Sequence, residues 1–272
     1  MQKANVAINP PAVPRSPSGS IKSILSLLTH AASFSLFFLV WHVAAVYVVQ
    51  SVLFPPPLEV FQRAIELIEQ GELFSNIAVS LRRIFLGFLL GAAVGVPLGL
   101  GIASFATVRA IIEPWTEFLR FIPSVAMITI AVIWFGIGEE SKIFLIFYTT
   151  VFIVIINTAA GVAAISKNKI RAARVLGATP WQIFFLVSLP GTVPFIVTGM
   201  RIAMANSFTT IVAAEMVSAH EGLGVMLWNA RLYMQVPDIF VALVSLGVLG
   251  LLADKLFRMA SAKLTASYSS NS

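Results

Sequence analysis

The residues able to do chemistry in this chain are few and far apart. Four cations fall within eight positions, Lys167, Lys169, Arg171 and Arg174, with no acid among them. Arg120 and Arg201 stand beside or inside apolar runs, as does His42, and Glu215 closes another such run. An ionisable group at membrane depth is costly to bury, so each is a candidate for handling a solute. Nothing in the chain suits catalysis. It has no G-x-S-x-G, no H-E-x-x-H and no phosphate loop of the G-x-x-x-x-G-K type. His30, His42 and His220 lack ligand spacing, and there is no cysteine, so no metal site, thiolate nucleophile or disulfide is expected. The chain is expected to hold no cofactor, and without a phosphate loop it cannot bind or hydrolyse ATP by itself.

The elements that must position these groups are membrane helices. Of the 272 residues 58% are hydrophobic and 11% charged, and mean hydropathy is +0.91, which excludes the soluble globular class. The net charge of +6 is carried by short segments between apolar runs, a distribution that membrane orientation explains without nucleic acid. The pattern predicts an all-α polytopic membrane protein with six transmembrane helices, over about 31–49, 84–105, 121–137, 143–165, 190–213 and 239–256. A transmembrane domain over 23–262 is expected between a disordered cytoplasmic tail at 1–22 and a second cytoplasmic tail at 263–272.

Local signals mark the joints. Pro55, Pro56 and Pro57 end the first span. Residues 58–70 carry Val60, Phe61, Ala64, Ile65 and Ile68 at helical spacing, which predicts an amphipathic helix on the outer surface or against the bundle. Gly87, Gly91, Gly95 and Gly99 recur every fourth residue and form one smooth ridge for close helix packing. The run 121–137 is short for a span and has Pro123 near its start, so its helix is expected to begin earlier. A polar loop is expected around Glu215, His220, Glu221, Gly222, Gly224, Arg231, Pro237 and Asp238. If both termini lie on one side, 11 of the 18 Lys and Arg fall on that side and five on the other, which puts termini and connector in the cytoplasm.

The basic stretch itself predicts a short helix, a turn at Gly177, and a second short helix started by Thr179 and Pro180 and running to Leu189-Pro190. Two readings stand: a positive loop that fixes orientation, or a docking surface for a cytoplasmic partner. Arg120 and Arg201 line a pore, or each is neutralised near a span end by Glu117 or a carbonyl. His42 packs between helices or lines the pore. Glu215 is a structural or gating carboxylate at the outer end.

Arg171-Ala172-Ala173, Gly177, Val187 and Leu189-Pro190 resemble the E-A-A-x-x-x-G … I-x-L-P loop of ABC-transporter permeases of the binding-protein-dependent importer type. Arg171 departs from the pattern, which has glutamate there. The segment Leu53 to Leu58, Ser80-Leu81-Arg82-Arg83, Trp134-Phe135-Gly136-Ile137-Gly138-Glu139, Gly199-Met200-Arg201-Ile202-Ala203, Ala214-Glu215-Met216 and Gly222-Leu223-Gly224 are similar to the nitrate, sulfonate, taurine and bicarbonate group of these permeases. The resemblance spans about residues 50–255. It implies a type I importer permease in a bacterial cytoplasmic membrane. It also implies a pore for a small solute such as an anion, and contact with two ATP-binding subunits through 167–190, at Arg171, Ala172, Ala173, Arg174, Gly177, Ala178, Leu189 and Pro190. ATP and Mg are implied on those subunits, and a second permease copy and a periplasmic or lipid-anchored solute-binding protein are the other implied partners. A secondary transporter or channel without an ATPase is the alternative.

Overall fold

The computed structural model describes residues 19–269, with side chains at 28–29 and 31–262, and its regular elements are all helical. The expected tails lie outside the described residues at 1–18 and 270–272; the backbone of 19–22 and of 263–269 is helical. Among the described residues five stretches are long and apolar enough to cross a membrane: Ala31–Val49, Glu72–Ser104, Glu139–Ala163, Pro180–Ser218 and Val236–Ala262.

The chain forms two compact units, Met1–Pro57 and Leu58–Ser272. In the first, helix α1 (Gly19–Val43) passes into a π-helical turn at Ala44–Val49. Phe34, Phe37, Phe38, Leu39 and Val40 are all exposed, as suits a helix solvated by hydrocarbon. Trp41 Nε1 donates to the carbonyl of Pro55 at 3.1 Å, so the proline run folds back on the helix end.

The second unit is built on a seam of glycines. Helix α2 (Pro57–Glu69) leads to α3 (Glu72–Ser104), and α6 (Glu139–Ala163) packs along α3 in the same direction. A Cβ added to Gly87 would lie 2.6 Å from Ile146 Cβ, and one on Gly91 2.6 Å from Thr150 Cβ. Gly95 and Gly99 face Val154 and Thr158 in the same way. Both helices thus advance four residues per contact, and only hydrogen in place of a side chain admits the α6 residues so closely. On its other side α6 meets α9 (Leu189–Ser218) in the opposite direction, with Gly199 against Asn157 and Gly161 against Thr192 and Phe195. Ile84, Phe88, Ile146, Val154, Met204, Phe208 and Ile211 form the core of this sandwich, closed by Ala253 of α11 (Val236–Ser269).

Three sequence expectations need correction. The run 121–137 is not one helix with an earlier start. It is α4 (Ala106–Leu119) and α5 (Met127–Phe135), 14 and nine residues long, neither able to span a ~30 Å core alone. Pro123 lacks an N–H and disfavours helical backbone at Ile122, so the ladder breaks between them. The second connector helix does not end at Leu189-Pro190. After α7 (Lys167–Val175), α8 (Pro180–Ile183) runs through a π-helical turn, Phe184–Ser188, directly into α9. The widened turn accommodates the hydrogen bond that Pro190 cannot make. The expected polar loop after the fifth span is largely helical. Glu215 lies within α9, and α10 (Leu223–Leu232) buries Leu223, Val225, Met226 and Ala230.

Helix α2 is amphipathic, but its edge at Val60 and Leu67 is the buried one, while Phe61, Ile65 and Ile68 are exposed. Arg63 anchors it to the start of α11, with Nε 2.6 Å and Nη2 3.1 Å from the Asp238 carboxylate. The hydrogen bonds to Asp238, then to Glu66, hold the Arg63 guanidinium above the ordinary arginine range.

Candidate functional site

The candidate residues separate into five places, two of them at opposite ends of the helices. At one end is the connector. Helix α7 buries nothing, and Lys167, Lys169, Arg171 and Arg174 are all exposed. The helix stops in a Schellman motif. Gly177 N–H donates to Arg174 O at 2.9 Å and Ala178 N–H to Ala173 O at 3.0 Å, with Gly177 at φ +81°. Thr179 then caps α8. Gln182 N–H donates to Thr179 Oγ1, and Thr179 N–H to Gln182 Oε1, with Pro180 as the first helical residue.

The turn carries an apolar tip that the basic pattern masked. Val175 and Leu176 are each 87% exposed, and Trp181, Phe185 and Leu186 are also outward. Ala172 is exposed on this turn, Ala173 and Ala178 are half-buried at its edge, and Leu189 and Pro190 are half-buried in the helical run behind it. The connector is braced against the corner between α3 and α4. The Phe105 ring lies 5.7 Å from both Trp181 and Phe184, and a cleft of about 440 Å3 between them is lined by Ser104, Arg174 and Ser188. Arg109 stiffens that corner by donating to the carbonyls of Ile102 and Ala103, the last of α3, which lowers the negative end of the helix dipole. A push on α8 therefore reaches α3 and α4 as well as α9.

Midway along the helices is the break between α4 and α5. Arg120 ends α4 with its guanidinium 2.6 Å from Glu117 Oε2 and 4.4 Å from the centre of the Phe121 ring. Tyr148 OH lies 2.6 Å from the Leu119 carbonyl and 3.3 Å from that of Ile122, so α6 satisfies backbone groups that the break frees. A cavity of about 250 Å3 opens here, lined by Arg120, Ser124, Tyr148, Thr149, Ile153 and Ile156. Thr149 Oγ1 sits 3.2 Å from Thr210 Oγ1 on α9, and one turn before Thr210 the side chain of Asn206 is exposed. Glu117 thus meets the Arg120 charge, the second of the two sequence readings, and a small anion or zwitterion held here would share the guanidinium with that carboxylate, beside the hydroxyls of Ser124 and Thr149 and the apolar walls.

Arg201 is elsewhere. It pairs with Asp254 of α11, which also accepts from Arg258 at 3.2 Å. Its charge is thus met by an acid 53 residues away, and it is not gathered with Arg120. His42 is exposed on α1 in the other unit.

Opposite the connector end is a buried ionic cluster that holds Glu215. Arg83 Nη1 lies 2.7 Å from Glu215 Oε1 and 2.6 Å from the Glu221 carbonyl; Nη2 and Nε reach Glu139 at 2.5 and 2.9 Å. Ser80 Oγ lies 2.8 and 2.9 Å from the two Glu215 oxygens and accepts from Leu223 N–H, while Gly224 N–H donates to Glu215 Oε2. Asn76 Oδ1 accepts from Gly222 N–H. The N-terminus of α10 is thereby capped by side chains of α3 and α9, and Arg83 ties both to α6. Lys142 Nζ donates to the carbonyls of Ile137 and Gly138 just beyond α5. The sequence carried the signal for this cluster in Ser80, Arg83 and Glu139, but not their convergence.

Comparison with known proteins agrees with this architecture. The family described as "Binding-protein-dependent transport system inner membrane component" matches residues 95–265. A probable ABC transporter permease protein of Brucella melitensis is 42% identical, over 79% of this chain and 87% of its own. The taurine transport system permease protein TauC of Escherichia coli is 34% identical, over 83% and 84%. The nitrate import permease protein NrtB of Leptolyngbya laminosa is 35% identical, over 74% and 75%. Among solved structures, a chain of a bacterial alginate ABC transporter, crystallised with an alginate pentasaccharide-bound periplasmic protein, superposes with a TM-score of 0.61 at 16% identity. It covers 90% of this chain and 97% of that one.

Proposed function

The chain belongs to the binding-protein-dependent transport system inner membrane components, and from that premise we propose that its helix break at Arg120 passes a small organic or inorganic anion toward the connector side. It is the membrane-spanning permease subunit of an ABC importer, a transporter component and not an enzyme. The observation that carries the substrate class is the cavity between α4 and α5, where Arg120, Ser124 and Thr149 line an otherwise apolar wall. Discontinuous membrane helices place such groups at mid-depth, where a solute must shed water. Taurine and nitrate, the solutes in the relatives' names, both bear an oxyanion that a guanidinium fits.

Energy comes from outside the chain. Two cytoplasmic ATP-binding subunits seat the exposed turn of Val175, Leu176 and Gly177, with Lys167, Lys169, Arg171 and Arg174 around it. ATP-driven closure displaces α7 and α8, and the contact of Trp181 and Phe184 with Phe105 passes that displacement to the helices flanking the cavity. Such rigid-body transfer between two packed states is the ordinary form of a ligand-driven switch. A second copy completes the pore, and a solute-binding protein delivers the anion at the end held by Arg83. The excess of Lys and Arg on the connector side supports a cytoplasmic position for the connector and both termini. Residues 23–262 form the transmembrane domain.

The test is reconstitution of the chain with its ATP-binding subunits and binding protein in proteoliposomes, assayed with labelled taurine, nitrate, bicarbonate and an uncharged solute. Uptake of one anion that requires ATP is the expected result. Uptake that proceeds without ATP would assign the chain to secondary transporters or channels, and ATP-driven uptake of the uncharged solute alone would remove the anion role of Arg120.

A further inference from the structure

Arg201 and Asp254 pose a problem that the pore does not solve. They pair in a stretch of α9 and α11 long and apolar enough to cross a membrane, yet both are open to the outside of the chain, their side chains 46% and 28% exposed. Arg258, one turn further along α11, shares Asp254 and is 61% exposed. Two guanidinium groups against one carboxylate leave a net positive charge, and Lys255 on the same turn is exposed as well. Asp254 follows Asp238 by 16 residues, or about 24 Å along a helix. Taking the Asp238 pair with Arg63 as one edge of a ~30 Å hydrocarbon core, the cluster lies about 6 Å inside the other edge, within reach of headgroups for arginine side chains.

An apolar groove lies further along the same two helices, starting about two turns from this cluster at Phe208 and Gly247. Phe208, Val212 and Met216 form one wall and Leu243 and Leu246 the other. Gly247 lines it, and Gly250 lies one turn nearer the cluster; a Cβ built on either would meet nothing within 4 Å, so the way between groove and cluster is open. From Arg201 to Val212 and from Asp254 to Leu243 is 11 residues each, about 17 Å by helical rise. That matches the ~15 Å depth of one leaflet. Charge at the headgroup level, with a groove one leaflet deep above it, fits a phospholipid and not a soluble ion, which has no use for the apolar walls.

We propose that the α9 and α11 groove binds one anionic phospholipid from the leaflet on the connector side, its phosphate on Arg201 and Arg258 and an acyl chain along Gly250 and Gly247. The lipid fills the open seam between the two helices and neutralises the spare positive charge, so Arg201 serves lipid recognition and not the solute path.

The test is native mass spectrometry of the full chain released from nanodiscs of mixed phosphatidylglycerol and phosphatidylcholine. The wild type should retain one phosphatidylglycerol per chain in preference to phosphatidylcholine. Arg258→Gln, which leaves the pair of Arg201 and Asp254 in place, should weaken that preference about five-fold. Gly250→Leu should abolish retention of either lipid by closing the way between groove and cluster, where open space makes misfolding an unlikely confounder; a thermal melt within the wild-type range verifies the fold. The chain has no cysteine, so Gly247→Cys gives a clean probe for the rival occupant. Equal retention in wild type and both variants would overturn the proposal, as would disulfide-linked pairs of the Gly247→Cys chain in oxidised membranes, which would assign the groove to a second copy.

Discussion

Arg83 and Glu215 stand 132 residues apart in the chain and meet at 2.7 Å, with side chains 4% and 0% exposed. Glu139 holds the other edge of the same guanidinium. The three residues come from α3, α9 and α6, so one arginine ties together the ends of the three most closely packed helices, and Glu215 in turn caps α10. Removing one member of a buried pair strands its partner in low dielectric, which costs far more than the pair contributes over an apolar substitute.

Arg83→Met should therefore destabilise the chain by about 3–5 kcal/mol. Its neighbour Arg82 makes a single contact to Glu139 with 60% of its side chain exposed. Arg82→Met should stay within about 0.5 kcal/mol of wild type. Thermal melts of both variants in detergent check this. Equal melting temperatures would mean that the cluster does not hold the far end together.

The glycine seam predicts a contrast between positions of one residue type. Gly91→Val must force Thr150 away, since even a Cβ would approach within 2.6 Å, and overpacking of this kind costs about 1–3 kcal/mol. Gly71, between α2 and α3, has open space but φ +76°, so Gly71→Val should strain the turn by about 1–2 kcal/mol without disturbing the bundle. Crosslinking between cysteines placed on α3 and α6 separates the two: Gly91→Val should lower it and Gly71→Val should not.

Much of this was legible in the sequence, and what was hidden follows one physical rule. Spacing along one helix is local information. The ridge of Gly87, Gly91, Gly95 and Gly99, the stop at Gly177 and the cap at Thr179 can all be read without knowing what they face. Partners across the fold cannot. The role of Arg83 is hidden because Glu139 and Glu215 are far off in sequence, and for Arg201 a pore lining and neutralisation near a span end both stay open because Asp254 lies on another helix. Pro123 stands out in the sequence, but the run around it reads as one helix, and hydropathy says nothing of Tyr148, whose hydroxyl makes the broken backbone tolerable. The segment after Glu215 reads as a loop because its polar residues are caps, buried where they cannot be distinguished from solvated ones.

The connector yields a test of coupling apart from stability. Leu176→Asp changes a side chain that is 87% exposed, so folding should be altered by less than about 0.5 kcal/mol. Co-purification of the ATP-binding subunits should nevertheless be lost, because the apolar tip would carry a charge into their groove. Gly177→Val forces a β-branched residue to φ +81°, strain of about 1–2 kcal/mol that reorients α7, and should leave ATP hydrolysis running without uptake. Full co-purification with Leu176→Asp would place the docking surface elsewhere.

The proposed solute path runs through the break between α4 and α5, with Arg120 holding the solute's charge. ATP-driven uptake by the complete complex with Arg120→Gln tests it most directly, since Arg120 is partly exposed and its loss leaves the helix seams untouched. The expected outcome is an assembled complex that hydrolyses ATP and takes up its anion about 100-fold more slowly, the loss of roughly 3 kcal/mol that a charge-assisted bond supplies. Uptake at the wild-type rate would contradict it.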